Sequence, residues 1–399
     1  MNDIWRSIAA NHEMLDAIRI RKYTDAPVEA LKEDLKISRS AADTIYKSLL
    51  GTNSSDALIT REGRLTKIRG SQAYFLGISI GGKHIRAELL DLNFEVVPPD
   101  FVEQLVHCTF EDIPGFIKGR KDSGYVFIPA VSPSESIFDL IRQITASLLE
   151  RFLAAAKKAP EEFPLLGIGF SVSGPVDYDA CVWNPTPRIT QVRELSLSDL
   201  IGYQLLNEIN QYGLFLSIDN NCKSAIISEY QYLMEQRQGR YKEDVALIYL
   251  GSGVGCAMVI DQKLLRGSHN LSGELGHIRI EGDEIENHLS DRRNHARYIP
   301  LVLNTINCIL GIDRFILVGH DAFSNKTLIP ELMDQRIQFT VTSTQQYCKA
   351  ELGRQQASTA AIGAAMGAYF SMCNFNASFE DDRRINLAND ISWKHIRQN

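Results

Sequence analysis

The chain has 399 residues, enough for two or three domains, and its 44% hydrophobic and 23% charged residues match ordinary globular composition. No apolar run reaches the roughly 18 residues of a membrane span, and the start MNDIWRSIAANHEML lacks a signal peptide's charged and apolar regions, so a cytoplasmic protein is expected. The net charge of −7 argues, over the whole chain, against a polybasic coat for nucleic acid or membrane.

The charge is uneven. Residues 1–70 hold 12 Lys and Arg against 10 Asp and Glu, a net +2, which leaves −9 for the rest. In this first segment Ile8, Met14, Leu15 and Ile18 have helical spacing. Pro27 can open a second helix carried by Val28, Leu31 and Leu35. Ser38 can cap a third, with Ala41, Ala42, Ile45 and Leu49 on one face. Two short helices joined by a tight turn form a helix-turn-helix pattern. Lys36 stands where such a turn usually has glycine, and Lys32 where the first helix usually has a small residue.

Two β-prone runs, 57–60 and 65–68, flank Arg61-Glu62-Gly63-Arg64 and predict a hairpin of wing size. The third helix would then enter a major groove. Ser38, Arg39 and Ser40 would lie at the base edges, and Lys47, Arg61 and Arg64 on phosphates. A small helical oligomerisation domain is the other reading of this segment.

Next comes a repeat. Tyr74–Asp91 and Ile248–Asp261 read alike at an offset of 170: Ile80-Gly81 falls on Leu250-Gly251, Leu89-Leu90 on Val259-Ile260, and Asp91 on Asp261. Each is an apolar strand, a glycine turn and a second apolar strand, and glycine lets backbone N–H groups approach a phosphate. The candidates are Gly81 and Gly82 in the first turn and Gly251, Ser252, Gly253 and Gly255 in the second.

Between and after them, helices (136–156, 200–212, 222–235, 297–310 and 359–372) alternate with strands (165–171, 214–218 and 314–318). That alternation predicts an α/β fold of two lobes with a cleft between. The seven cysteines are scattered, with no CxxC, and read as reduced thiols. Residues 101–134 and 374–399 carry no assignment.

The motifs GISIGGKHIR (77–86), GIGFSVSGPVD (167–177), SIDNNCKSA (217–225), GSGVG (251–255) and GELGH (273–277) together resemble the ROK family (repressor, open reading frame, kinase). That resemblance implies two actin-like, ribonuclease H-like ATPase lobes. Its repressor branch adds an N-terminal winged helix-turn-helix like residues 1–70. The implied domains are 1–70, 71–220 and 221–399. Asp219 matches the base toward the sugar hydroxyl, and it also suits an N-cap for the following helix. Asn184 matches a sugar-binding asparagine, or is a turn former. Glu274 and His277 match a pair that contacts sugar hydroxyls, with a plain core role the alternative for His277.

The departures matter equally. Ser79 stands where the kinases carry an aspartate that helps hold Mg-nucleotide, and a hydroxyl is a poor substitute for a carboxylate there. Lys83, His84, Ile218 and His320 replace other family residues. The family's zinc cysteines are missing between Ile278 and Pro300, so no structural zinc is expected, and Glu281, Asp283, Glu284, Glu286, His288 and His295 read as a solvated acidic loop. The family's second sugar-contacting glutamate has no evident counterpart.

The expectation is a DNA-binding transcriptional regulator, a repressor, whose cleft senses a sugar or sugar phosphate. Its partners would be operator DNA and a second copy of itself, as a homodimer or a dimer of dimers, with no membrane. The alternative is an ATP-dependent sugar kinase, and only that reading requires ATP and Mg²⁺.

Overall fold

The computed structural model describes residues 4–21, 27–51, 57–117, 124–129, 136–177, 180–186, 189–239, 242–251, 253–325, 327–330, 332, 349–354 and 358–374. The expected residues Ser252 and Cys348 and the segment 375–399 lie outside them.

The chain opens with α1 (Ile4–Ala10), α2 (His12–Arg21), α3 (Pro27–Leu35) and α4 (Arg39–Leu50). The helix expected around Ile8 and Ile18 is two helices. Asn11 breaks it: its side chain donates to the Ser7 carbonyl at 2.8 Å, and His12 Nδ1 bonds the Ala9 carbonyl at 2.8 Å. Such local side-chain bonds compete with the helix ladder. Lys36 takes the glycine position of the turn with φ +50°. Ser38 caps α4, its Oγ accepting the Ala41 N–H at 3.1 Å. The wing is β1 (Ile59–Glu62) paired antiparallel with β2 (Leu65–Ile68), and Tyr46 of α4 bonds Thr66 of β2 at 3.1 Å. These elements form a winged helix-turn-helix.

The body continues with β3 (Tyr74–Ile80), β4 (Ile85–Asp91), α5 (Pro99–Val106), β5 (Phe116–Ile117), β6 (Tyr125–Phe127), α6 (Ile137–Lys158) and β7 (Leu165–Val172). A small hairpin follows, β8 (Val176–Asp177) with β9 (Val182–Trp183), then α7 (Leu197–Ile201), α8 (Tyr203–Tyr212), β10 (Phe215–Asn220) and α9 (Asn221–Gln236). The expected helix 200–212 is therefore split, at Gly202 with φ +88°. One sheet runs β10-β7-β3-β4-β6-β5.

Next come β11 (Val245–Leu250), β12 (Val254–Ile260), β13 (Lys263–Leu264), β14 (Arg279–Ile280), β15 (Asp283–Glu284), α10 (Ile285–Leu289), α11 (His295–Leu310), β16 (Arg314–Val318), α12 (His320–Ser324) and β17 (Lys349–Leu352). The second sheet runs β13-β12-β11-β16-β17. Its β12-β11-β16-β17 repeats the order and directions of β4-β3-β7-β10, one antiparallel hairpin then two parallel strands. The fold is two actin-like α/β lobes behind the winged helix.

The repeat needs one correction. Ile80 pairs with Ile85, but Leu250 pairs with Val254, so the second turn is one residue shorter. Beyond the turn Val259 corresponds to Leu90, not Leu89, and Asp261 falls past the strand end. A one-residue slip changes which face each side chain meets, so the aspartates are not equivalent.

Asp91 closes β4. Its Oδ1 accepts the N–H groups of Asn93 and Glu95 at 2.8 and 2.9 Å. Burial, the largest influence, pushes its carboxyl up to about 6 from 3.8. Its folded pKa is raised, so the stability it contributes is present below about pH 4 and lost as pH rises through 6. Asp91→Asn keeps both acceptor bonds, and urea unfolding across that window should show a flatter pH profile; an unchanged slope would refute the assignment.

The last helix, α13 (Thr359–Cys373), is buried along nearly its whole length. Its small residues let backbones touch: a β-carbon at Gly169 of β7 would lie 1.8 Å from the Ala364 carbonyl oxygen. Helices α1 and α2 share this core, with the Trp5 ring 5.3 Å from that of Phe215.

Candidate functional site

The cleft floor forms where β10 ends and α9 begins. Open α/β sheets bind ligands at the carboxyl ends of parallel strands, and this is such an end. Asp219 is buried there at 5% exposure. Its Oδ2 accepts from Arg266 Nη1 at 3.0 Å, and its Oδ1 accepts the Asn220 N–H at 2.7 Å. The cap of α9 is Asn220, whose Oδ1 accepts the Cys222 N–H at 2.8 Å while its Nδ2 donates to the Gly174 carbonyl at 3.0 Å. Asp219 is thereby relieved of the capping role that the sequence also allowed.

Arg266 lies after β13 and belongs to a network that motif reading missed. Its Nη1 also reaches Asn270 Oδ1 at 3.2 Å, and Asn270 Nδ2 donates to the Val176 carbonyl of β8 at 2.9 Å. Lys223 of α9, 1% exposed, donates to the carbonyls of Asn270 and Ser272 at 2.9 and 3.1 Å. Segment 266–272 is therefore strapped onto β8, β10 and α9 by one buried cation, one largely buried cation and an amide. Each cation has a carboxylate or carbonyl partner, which offsets the cost of burying its charge.

Glu274 is half-buried; its carbonyl accepts the His277 N–H at 3.3 Å, and its carboxylate has no hydrogen-bond partner among the described residues. Burial raises its carboxyl above the ordinary range; Lys223 and His277 oppose that rise, and Glu286 adds to it. His277 sits at the rim, 68% exposed, with Nδ1 3.5 Å from Glu284 Oε1, so a plain core role for it is excluded. Asn184 lies beside the Gly174 turn; its N–H donates to the Pro175 carbonyl at 2.9 Å and its Oδ1 accepts the Glu194 N–H at 3.3 Å.

In the first turn the Gly81 N–H donates to the His84 carbonyl at 2.9 Å; Gly82 follows it. In the second, the Gly251 N–H donates to the Gly253 carbonyl at 3.1 Å. Gly255 packs against Cys222, where a β-carbon would lie 2.4 Å from its Sγ. Glu286 is not part of a solvated loop. Its Oε2 accepts the Val254 N–H at 3.2 Å, so an internal carboxylate sits on a backbone donor of the second turn. Its charge is also felt at Glu274, where it adds to the upward push on that carboxyl.

A zinc ion of the kind the resemblance implies does not fit. No cysteine lies between 278 and 300, His288 Nε2 bonds the Ile280 carbonyl, and His295 Nε2 bonds the Leu289 carbonyl. Mg-nucleotide fits poorly also: the metal position is Ser79, which pairs with Arg86 across the hairpin, and Glu286 would repel a phosphate at the second turn.

On the winged helix, Arg39, Lys47 and Arg61 border one concavity of about 330 Å³ between α3, α4 and the wing. Arg39 pairs with Glu29 at 3.0 Å and Lys47 with Asp43 at 2.6 Å, both exposed pairs of the weak surface kind. Ser38 spends its oxygen on the cap, Ser40 is exposed beside Arg39, and Arg64 is exposed at the wing tip.

This fold defines a two-lobed α/β chain with a winged helix-turn-helix headpiece. The ROK family model matches residues 133–292, which contain four of the five motifs that carry the resemblance. The curated relatives include the xylose repressor of Bacillus subtilis, 22% identical over 209 residues covering 52% of this chain and 43% of that protein. The glucokinase of Halalkalibacterium halodurans is 24% identical over 210 residues, 53% of this chain and 51% of that protein. The matches span less than two thirds of these relatives' lengths. A crystal structure described as a ROK family transcriptional regulator, homolog of the E. coli MLC protein, superposes with a TM-score of 0.59 over 90% of this chain and 97% of that one. Its identity is 14%, so the likeness is one of fold. Among the described residues no helix is long and apolar enough to cross a membrane.

Proposed function

We propose that this chain is a sugar-responsive transcriptional repressor. Residues 1–70 bind operator DNA, and the lobes, 71–220 and 221–399, sense a sugar or sugar phosphate without transforming it. The observation that carries this reading is the Asp219–Arg266 pair. A general base must be available to the attacking hydroxyl, and here the carboxylate is buried against a guanidinium. Phosphoryl transfer also needs metal, phosphate cradle and base together, and Ser79 removes the metal carboxylate. Asn184, Glu274 and His277 are the assigned sugar contacts, and Glu286 joins them. Ligand would shift the relative position of two headpieces in a homodimer or dimer of dimers, and with it the half-site spacing. Operator binding places the chain in the cytoplasm.

The kinase reading is favoured by the similarity to a glucokinase. A coupled ATPase assay with hexoses and N-acetylhexosamines separates the two. Turnover that Asp219→Asn abolishes would overturn the repressor reading; no turnover, with a sugar-induced rise in melting temperature lost in Glu274→Gln, is the expected result.

For the headpiece, the full chain should shift duplexes selected from a random-sequence pool, with a steep salt dependence. Arg61→Ala should weaken all duplexes alike and reduce the salt slope by about 1, whereas Arg39→Ala should relax discrimination at one base pair by about 1–3 kcal/mol. Uniform effects of both substitutions would remove Arg39 from the base edges.

A further inference from the structure

A second buried polar cluster lies outside the cleft, where the headpiece meets the body. Arg19 of α2 is 4% exposed. Its guanidinium donates to Asp16 through Nη1 and to the Leu92 carbonyl through Nη2, at 2.8 Å in the latter bond. It also lies 3.8 Å over the Phe94 ring and 5.1 Å from the Tyr369 ring centre. The Tyr369 hydroxyl, on α13, donates to Asp16 Oδ1 at 2.9 Å. Tyr369 and Phe94 meet edge to face at 5.0 Å, and Phe94 holds φ +63°, a strained value for an aromatic residue. Three parts of the chain converge here: a headpiece helix, the turn after the β3–β4 hairpin, and α13.

Both ends of this cluster lead somewhere. On the headpiece side, Arg21 at the end of α2 pairs with Asp34 of α3 at 3.0 Å. On the body side, α13 lies against α9, whose first turn builds the cleft floor. A β-carbon at Gly363 would lie 1.6 Å from the Ser224 carbonyl oxygen, and Thr359 Oγ1 donates to Glu229 Oε1 at 3.2 Å. One path is cleft floor, α9, α13, α2 and α3, and α9 also packs directly on α2.

A hydrophobic filling of similar volume would stabilise this interface at least as well as a buried ion pair. Directional bonds add something that filling cannot. Sliding α13 along α2 breaks the Tyr369–Asp16 bond and moves the Arg19 stack, so the interface has discrete positions. We propose that the Asp16–Arg19–Tyr369 cluster is the joint through which the state of the cleft sets the position of the helix-turn-helix. This rests on the repressor reading and names its transmission element.

The test measures DNA affinity of the full chain on a duplex selected from a random-sequence pool, with and without xylose or glucose as probes. Tyr369→Phe keeps the ring and removes one bond; Arg19→Lys keeps the charge and removes the stacked fork. Both should retain sugar-dependent thermal shift and DNA binding, while the sugar-induced change in DNA affinity falls at least tenfold. Amide exchange in α3 should lose its sugar response in parallel. A wild-type response that persists in Tyr369→Phe and Arg19→Lys overturns the joint alone. A wild-type chain whose DNA affinity ignores both sugars overturns the repressor reading for these sugars and the joint with it.

Discussion

Arg266→Ala is expected to destabilise the protein by about 3–5 kcal/mol, the scale found when one partner of a buried pair is removed. The Arg266 and Asp219 side chains are 13% and 6% exposed, so deletion leaves a carboxylate with little access to water. The loss is a desolvation cost imposed on Asp219 rather than the net worth of the ion pair. The double variant Asp219→Asn, Arg266→Met should therefore recover most of it, because neither position then carries a buried charge. Denaturant unfolding of the two variants beside the wild type checks this. A loss below about 1 kcal/mol for Arg266→Ala would mean that water reaches Asp219, and would return the carboxylate to candidacy as a base.

Gly363→Ala should be nearly as damaging, against the sign that helix propensity predicts. In a helix interior alanine is favoured over glycine by about 1 kcal/mol. At Gly363 the new methyl group would meet the Ser224 carbonyl at 1.6 Å, and the obstacle is backbone, which cannot rotate away. Helices α9 and α13 would have to separate, so a net loss of about 2–3 kcal/mol is expected, at the upper end of overpacking costs. Gly63→Ala is the comparison: nothing lies within 4 Å, and only its φ of +61° opposes the change, worth about 1–2 kcal/mol. Melting curves that rank Gly363→Ala as stable as wild type would show that the two helices are not in backbone contact.

The elements were legible because their causes are local. Pro27, Ser38 and the apolar spacing around Leu31 and Leu49 place the helix-turn-helix within a few residues, since caps and periodicity act over one or two turns. The break at Asn11 was missed because it depends on an asparagine reaching back to Ser7, a choice the apolar pattern does not record. The site was half legible. The glycine turns follow from the internal repeat, whereas Glu274 enters only through the family resemblance. The replacement of Asp219 by Asn220 as cap is a one-residue distinction that spacing does not resolve.

Taken by itself, the amino-acid sequence determined the fold class, the winged helix, the duplication and the loss of the kinase metal carboxylate at Ser79. The first three are read from residues adjacent in the chain or repeated at a fixed interval, and the last follows from the family resemblance. Only the tertiary structure decided what the buried charges do. Arg266 meets Asp219 across 47 positions, Tyr369 meets Asp16 across 353, and Glu286 leaves an apparently solvated acidic run to sit on Val254. A charged side chain announces its cost of burial in the sequence, but the partner that offsets that cost is chosen by the packing of distant elements.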